Sequence, residues 1–196
     1  MNPQKTSQAG YSLAEMLTVI AIIGTLALVS VPAFLTFRNS NKMKSSMRNF
    51  TNDLRATRQL SISRGRQTML SFGTGATARS YGTFLGNAAF GSTSWTARTS
   101  AAASGVRGTR TLDDIVYFPA DSASTPQTFT DTVDCSSLPC AAGTDGKIDI
   151  IFFPDGHVLL PNGATSGATI TLKTDSKIPK NQYTIAISPS GRVQAQ

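Results

Sequence analysis

From Met16 to Phe37 the chain runs 22 residues without a charged side chain. Nothing else in the sequence restricts the fold as much. A helix of that length covers roughly 33 Å, enough to cross the hydrocarbon core of a bilayer. One acid, Glu15, stands just before the run, five places after Gly10. A secretory signal has a shorter apolar core, with its small-residue cleavage site after that core. Here the small residue comes first. A cut at Gly10–Tyr11 would leave the apolar segment on the mature protein as its new N-terminus.

Lys5, Gly10, Tyr11, Ser12, Leu13 and Glu15, followed by a long apolar helix containing Pro32, resemble the class III signal of type IV prepilins and type II secretion pseudopilins. That resemblance implies a prepilin peptidase that cuts after Gly10 and N-methylates Tyr11. Two positions depart from the usual pattern. The first mature residue is commonly Phe and here is Tyr11, and the bulky aliphatic often found before the acid is here Ala14. A carboxylate in lipid costs roughly 2.5–3.5 kcal/mol at a helix centre and less near the interface. The resemblance supplies the partner that would offset this cost: the N-terminal amine of a neighbouring subunit, exposed only by cleavage. The plainer alternative is a solvated acid at headgroup level. Pro32 lacks a backbone donor and is expected to kink the helix.

Beyond the apolar run, Met43, Met47, Phe50 and Leu54 recur at helical spacing, with Lys44, Arg48, Arg55 and Arg58 beside them. Thr57 and Ser61 continue the stripe with small residues, which suggests close approach to a sheet. Gly65 reads as a C-terminal cap. From Arg66 onward the signals change to short strands: Gln67–Phe72, Ser80–Leu85, Ser94–Arg98, Ile115–Phe118, Lys147–Phe153, His157–Leu160, Thr169–Thr174, Gln182–Ser188 and a final edge near Arg192. Pro154-Asp155-Gly156 and Pro189-Ser190-Gly191 read as turns. One long helix followed by many hairpin-spaced strands predicts an α+β fold with antiparallel sheets. The expected organisation is a leader at 1–10, a transmembrane and assembly helix at 11–37, its amphipathic continuation at 38–65, and a β-rich head at 66–196.

Leu54-Arg55-Ala56-Thr57-Arg58, Ser63-Arg64-Gly65-Arg66, Phe153-Pro154-Asp155-Gly156 and Ser190-Gly191-Arg192-Val193 fall in the order seen in the GspH/FimT family. The family covers minor pilins of type IV pili and the minor pseudopilin of type II secretion. The implied architecture is the pilin fold, with the helix packed on the head. The implied function is a minor pilin assembled through its N-terminal helix. The alternatives are a minor pseudopilin and a DNA-binding minor pilin for natural transformation. Implied partners are other pilins or pseudopilins, the peptidase, the bacterial inner membrane and, for the last alternative, DNA. The head would lie in the periplasm. DNA receptors of the FimT branch use a C-terminal Gly-Arg-x-Arg; here Gly191-Arg192-Val193 is followed by Gln194, so Arg192 stands without the second arginine.

Charge is placed unevenly. Residues 1–110 carry 13 basic side chains against two acids, and residues 111–196 carry five against nine. That asymmetry suggests contact with an acidic partner or an oppositely charged subunit; solvated faces are the simpler reading. Lys5 alone precedes the apolar run while Arg38, Lys42, Lys44 and Arg48 follow it, so charge bias argues for the orientation opposite to the cleavage pattern. The cleavage pattern is the more specific signal. Cys135 and Cys140 enclose Ser-Ser-Leu-Pro, a spacing compatible with a disulfide outside the cytoplasm or with two free thiols. A metal site would need further ligands, and the sequence has one histidine, His157. His157 has no Ser or Cys at motif spacing, and Asp113-Asp114 would point to opposite faces of a strand. The residues describe neither an enzyme nor a cofactor protein.

Overall fold

The computed structural model describes residues 11–73, 75, 78–97, 109–119, 123–124, 147–159 and 167–195. Gly10, Cys135 and Cys140 lie outside these residues. The chain forms two compact units, Met1–Arg38 and Asn39–Gln196. A single helix, α1 (Leu13–Arg64), contributes to both. Gly65 follows it at φ 60°, and Arg66 N–H donates to the Ser61 carbonyl at 3.3 Å. Glycine takes that left-handed conformation without the Cβ penalty, so the helix stops where the sequence predicts.

The second unit is built from the C-terminal half of α1 and two antiparallel sheets. The first sheet has β1 (Thr68–Gly73) between β2 (Ser80–Gly86) and β6 (Lys147–Phe152). The outer edge of β2 takes β3 (Trp95–Ala97) and β4 (Thr109–Thr111), and β7 (Val158–Leu159) closes the other side on β6. The second sheet runs β10 (Val193–Ala195), β9 (Gln182–Ile187), β8 (Ala168–Lys173), β5 (Ala123–Ser124). The fold is α+β with antiparallel sheets, as the sequence predicts.

Helix and both sheets share one core. Met43, Phe50 and Leu54 from α1 meet Leu70, Phe72, Ile150 and Phe152 from the first sheet and Ile170, Leu172, Ile185 and Ile187 from the second. All are buried, and each such side chain contributes about 1.5–3 kcal/mol through burial. Phe50 sits at the centre of an aromatic group, edge-on to Tyr81 at 4.9 Å, to Phe118 at 5.1 Å and to Phe72 at 5.8 Å. Edge-to-face packing of this kind adds to simple burial. The opposite face of the first sheet carries a smaller cluster of Met69, Phe84, Trp95 and Ile151, with Phe153 packed against it.

One predicted strand is corrected. Residues 115–118 do not form a strand: Val116 N–H closes a turn onto Asp113, and only Tyr117 bridges to Lys173. Phe118 N–H turns instead to Ala78, while Gly75 N–H donates to the Phe118 carbonyl. The segment divides its backbone bonds between two neighbours, so no ladder forms, and its apolar residues serve as core plugs. β4 and β5 are not evident from the sequence, since both are short and lie among small residues.

A clasp ties α1 to the loops of both sheets. Arg58 Nε donates to the Gly156 carbonyl at 2.8 Å and its Nη2 to the Ser190 carbonyl at 3.3 Å. The Ser61 hydroxyl donates to the Phe153 carbonyl at 2.8 Å, and Val158 N–H reaches the Pro189 carbonyl at 3.0 Å. Further along, Arg55 donates to the Val193 carbonyl on the end strand β10 at 3.1 Å. The turns must come very close for this. A Cβ on Gly191 would lie 2.3 Å from the Gly156 oxygen and 2.6 Å from Arg58 Nε, at φ 76°. Gly65 also has positive φ but opens onto empty space. Gly65→Ala should therefore cost about 1–2 kcal/mol from the left-handed conformation alone. Gly191→Ala should cost clearly more, since it adds a backbone clash and loosens the Arg58 bonds. Denaturant unfolding of the two variants in detergent checks the ranking, and equal losses would refute the clasp.

Candidate functional site

Two surfaces carry the chemistry predicted from the sequence. The first is the apolar part of α1. Every large apolar side chain described between Tyr11 and Phe37 is exposed, including Ile20, Leu26, Leu28 and Phe34 at 63–78%. They occupy all sides of the helix. Such a helix is stable only in lipid or against other apolar helices. Its hydroxyl side chains are satisfied internally: Thr18 donates to the Glu15 carbonyl, Thr25 to Ile22, Ser30 to Leu26 and Thr36 to Pro32, at 2.8–3.1 Å. A medium without water requires this of every polar group. By length and composition the helix can cross a membrane.

Glu15 lies in the first turn of α1, exposed, beside the Tyr11 end of the described chain. Its N–H and that of Met16 donate to the Ser12 carbonyl at 3.0 and 3.2 Å. A carboxylate there also meets the positive end of the helix dipole. Pro32 sits within the helix, which continues through it.

The second surface is the head around the clasp. Three of the four motifs quoted from the sequence, all but Ser63-Arg64-Gly65-Arg66, converge there. Arg58, Phe153, Gly156, Ser190 and Gly191 are far apart in the chain and meet in one hydrogen-bonded group. Their spacing therefore serves the joint between helix and sheets. Arg192 is exposed beside it. With the Gln194 amide turned so that its oxygen faces the guanidinium, that oxygen accepts from Arg192 Nη2 at 2.7 Å and Nε at 3.0 Å. The residue standing where a second arginine would be thus holds the first.

His157 stacks on Phe153, with ring centroids 4.1 Å apart and planes 11° from parallel, and contacts Asp155. Desolvation pushes the Asp155 carboxyl up, but the hydrogen bonds from the His157 backbone and ring together with the ring's charge outweigh it and hold the carboxyl below its ordinary value. Asp113 and Asp114 are divided between partners on α1: Ser46 donates to Asp113 at 3.0 Å, and Lys42 pairs with Asp114.

Sequence reasoning passed over Asp53. It is buried on the core side of α1, between Phe50 and Leu54. Tyr81 donates to its Oδ2 at 2.6 Å, and Arg110 from β4 donates to the same oxygen at 2.7 Å. The signal was present: Phe50, Asp53 and Thr57 follow helical spacing on the buried face. Burial, reinforced by the hydrogen bond to the Asp53 carboxylate, raises the Tyr81 phenol far above its ordinary value. Burial pulls Arg110 down, but its bond to Asp53 outweighs that and raises it. The group pins β4 to the helix and leaves Tyr81 neutral.

A family model for the type II transport protein GspH matches residues 46–191. The chain belongs to the GspH family. That makes it a protein of the minor pilin and pseudopilin type, a class of structural subunits. Among solved structures, the minor pseudopilin EpsH of the Vibrio cholerae type 2 secretion system is 12% identical. That match covers 79% of this chain and 96% of the other, with a TM-score of 0.48. The type IV minor pilin FimU of Pseudomonas aeruginosa is 11% identical over 82% of this chain and 92% of that one, with a TM-score of 0.42. No curated protein sequence matches the chain.

The Tyr81 shift has a definite sign in stability. The folded state holds the phenolic proton more tightly than the unfolded chain, whose tyrosine pKa is about 10. The contribution is complete below that value and is lost as pH climbs towards the folded-state value. Tyr81→Phe should therefore flatten the alkaline loss of stability, measured as unfolding midpoints between neutral pH and about pH 11. An unchanged slope would contradict the assignment.

Proposed function

We propose that this chain is a minor pilin-like subunit, cleaved after Gly10, N-methylated at Tyr11 and assembled into a pilus through its apolar helix. The observation that carries the reading is the exposed apolar surface of α1 from Leu13 to Phe37, which needs lipid before assembly and neighbouring helices after it. Membership of the GspH family supports it. In this reading residues 1–10 are a leader, 11–37 the membrane and assembly segment, 38–65 its continuation, and 66–196 the displayed head. Glu15 neutralises the freed amine of a neighbour and sets the register between helices. Pro32 loosens the helix for packing. Before assembly the chain is a single-pass inner-membrane protein with its head in the periplasm. Cys135 and Cys140 form a disulfide that steadies the head.

A second reading, the minor pseudopilin of a type II secretion system, is favoured by the description of the matching family. A third, DNA binding through Arg192, draws less support, because Gln194 occupies that guanidinium. Mass mapping of the mature N-terminus tests the common core of the proposal. A first residue of N-methylated Tyr11 is expected, and a mature chain beginning at Met1 would overturn it. Deletion of the gene then separates the readings, with loss of pilus-dependent motility, of protein secretion or of transformation assigning one each.

A further inference from the structure

Among the described residues of the head, three large apolar side chains are exposed: Ile62, Phe90 and Leu159. They belong to one pole. Phe90, 62% exposed, packs on Phe153 with ring centroids 5.5 Å apart, and His157 stacks on Phe153 in turn. The Ile62 methyl lies 3.4 Å from where a Cβ on Gly156 would be, in the same turn as Phe153 and His157. Leu159 pairs with Ile151, whose cluster Phe153 packs against. The loop bearing Phe90 is fixed to the end of α1: Gln67 N–H donates to Ala88, and the Gln67 side chain accepts from Ser92 N–H at 2.7 Å. Elsewhere the described head keeps its large apolar groups buried or half-buried, so the three exposed side chains gathered about the Phe153–His157 turn mark a contact surface.

The rim of this pole is basic. Arg64 and Arg66 are exposed at the end of α1, beside Gln67 and the loop it holds, whereas Arg58 and Arg192 are already engaged in and beside the clasp. The one acid of the turn, Asp155, is already held by His157. An aromatic and aliphatic centre flanked by exposed arginines has the make-up of a protein-binding hot spot. It lacks the open, sequence-tolerant row of base platforms expected for a single-stranded nucleic acid, because Phe153 is stacked against His157 and Phe90 within the fold. The described exposed acids of the head are engaged as well, Asp114 by Lys42, Asp155 by His157 and Asp175 by Tyr117, so the head of a second copy offers no matching acidic face among these residues.

We propose that the Phe90–Phe153–His157 pole docks a different protein, through an apolar segment of that partner flanked by Asp or Glu. The inference goes beyond filament assembly through α1 and does not require it. The partner's apolar side chains would cover Phe90, Ile62 and Leu159, while its carboxylates would face Arg64 and Arg66.

A photo-crosslinking residue placed at Phe90 or Leu159, in the full chain expressed in its own cells, tests this against the same residue at Lys177, an exposed position among the Lys173–Lys180 lysines. The expected result is a product from the pole, several-fold above that from Lys177, whose partner peptide carries apolar residues beside an acid. Arg64→Glu together with Arg66→Glu should reduce that product several-fold. Crosslinking from the pole no stronger than from Lys177 would overturn the proposal. So would a product of twice this chain's mass, a nuclease-sensitive product, or a partner peptide without acids. Circular dichroism of the detergent-solubilised variants confirms that the head remains folded.

Discussion

A helix that is apolar on every side has no stable arrangement in water until something covers it. In this chain that demand falls on one stretch, Leu13 to Phe37, where the large side chains are exposed and the hydroxyls turn back on the helix's own carbonyls. The same helix continues into the head, where its chemistry changes within a few residues. Phe50 and Leu54 are buried on one side, while Lys44 and Arg48 remain in water on the other. One secondary-structure element therefore serves two solvents. Its amphipathic half fixes the head, and its uniformly apolar half is left for the membrane or for other helices.

The head answers a different problem, that of keeping a helix attached to two sheets that do not pair with each other edge to edge along their length. Apolar burial supplies most of the energy through the Phe50 group, but burial is not directional. Direction comes from Arg58, which reaches one carbonyl from each sheet's turn, and from the absence of side chains at Gly156 and Gly191 that lets those turns touch. Asp53 performs a related service on the other strand edge, holding Tyr81 and Arg110 with one oxygen. Leaving either partner of such a buried group unpaired is costly, which gives β4 a defined place although it is only three residues long.

Periodicity made the helix legible from end to end. Its apolar run, the Met43–Leu54 stripe and Gly65 predict one helix from the start of the 11–37 segment to the Gly65 cap, and the structure has Leu13–Arg64. The stronger strands were legible too, because Lys147–Phe152 and Gln182–Ile187 carry residues suited to a pleated surface and end at Pro or Gly turns. Ile115–Phe118 misled because its composition is that of a strand while its backbone bonds go to two different neighbours. Arg58 and Asp53 were visible only as members of a motif or a helix face. Their roles depend on carbonyls and hydroxyls brought in from residues 28 to 132 positions away, which no local pattern encodes.

In the proposed assembly, the exposed apolar rod associates with its neighbours in a fixed register set by Glu15. The most direct measurement is the fraction of Glu15→Ala protein recovered in sheared filaments, with membrane insertion measured in parallel. The account predicts normal insertion and a loss of incorporation of about tenfold or more, since a neighbour's amine would be left in lipid without its carboxylate. Incorporation equal to that of the unaltered chain would contradict it.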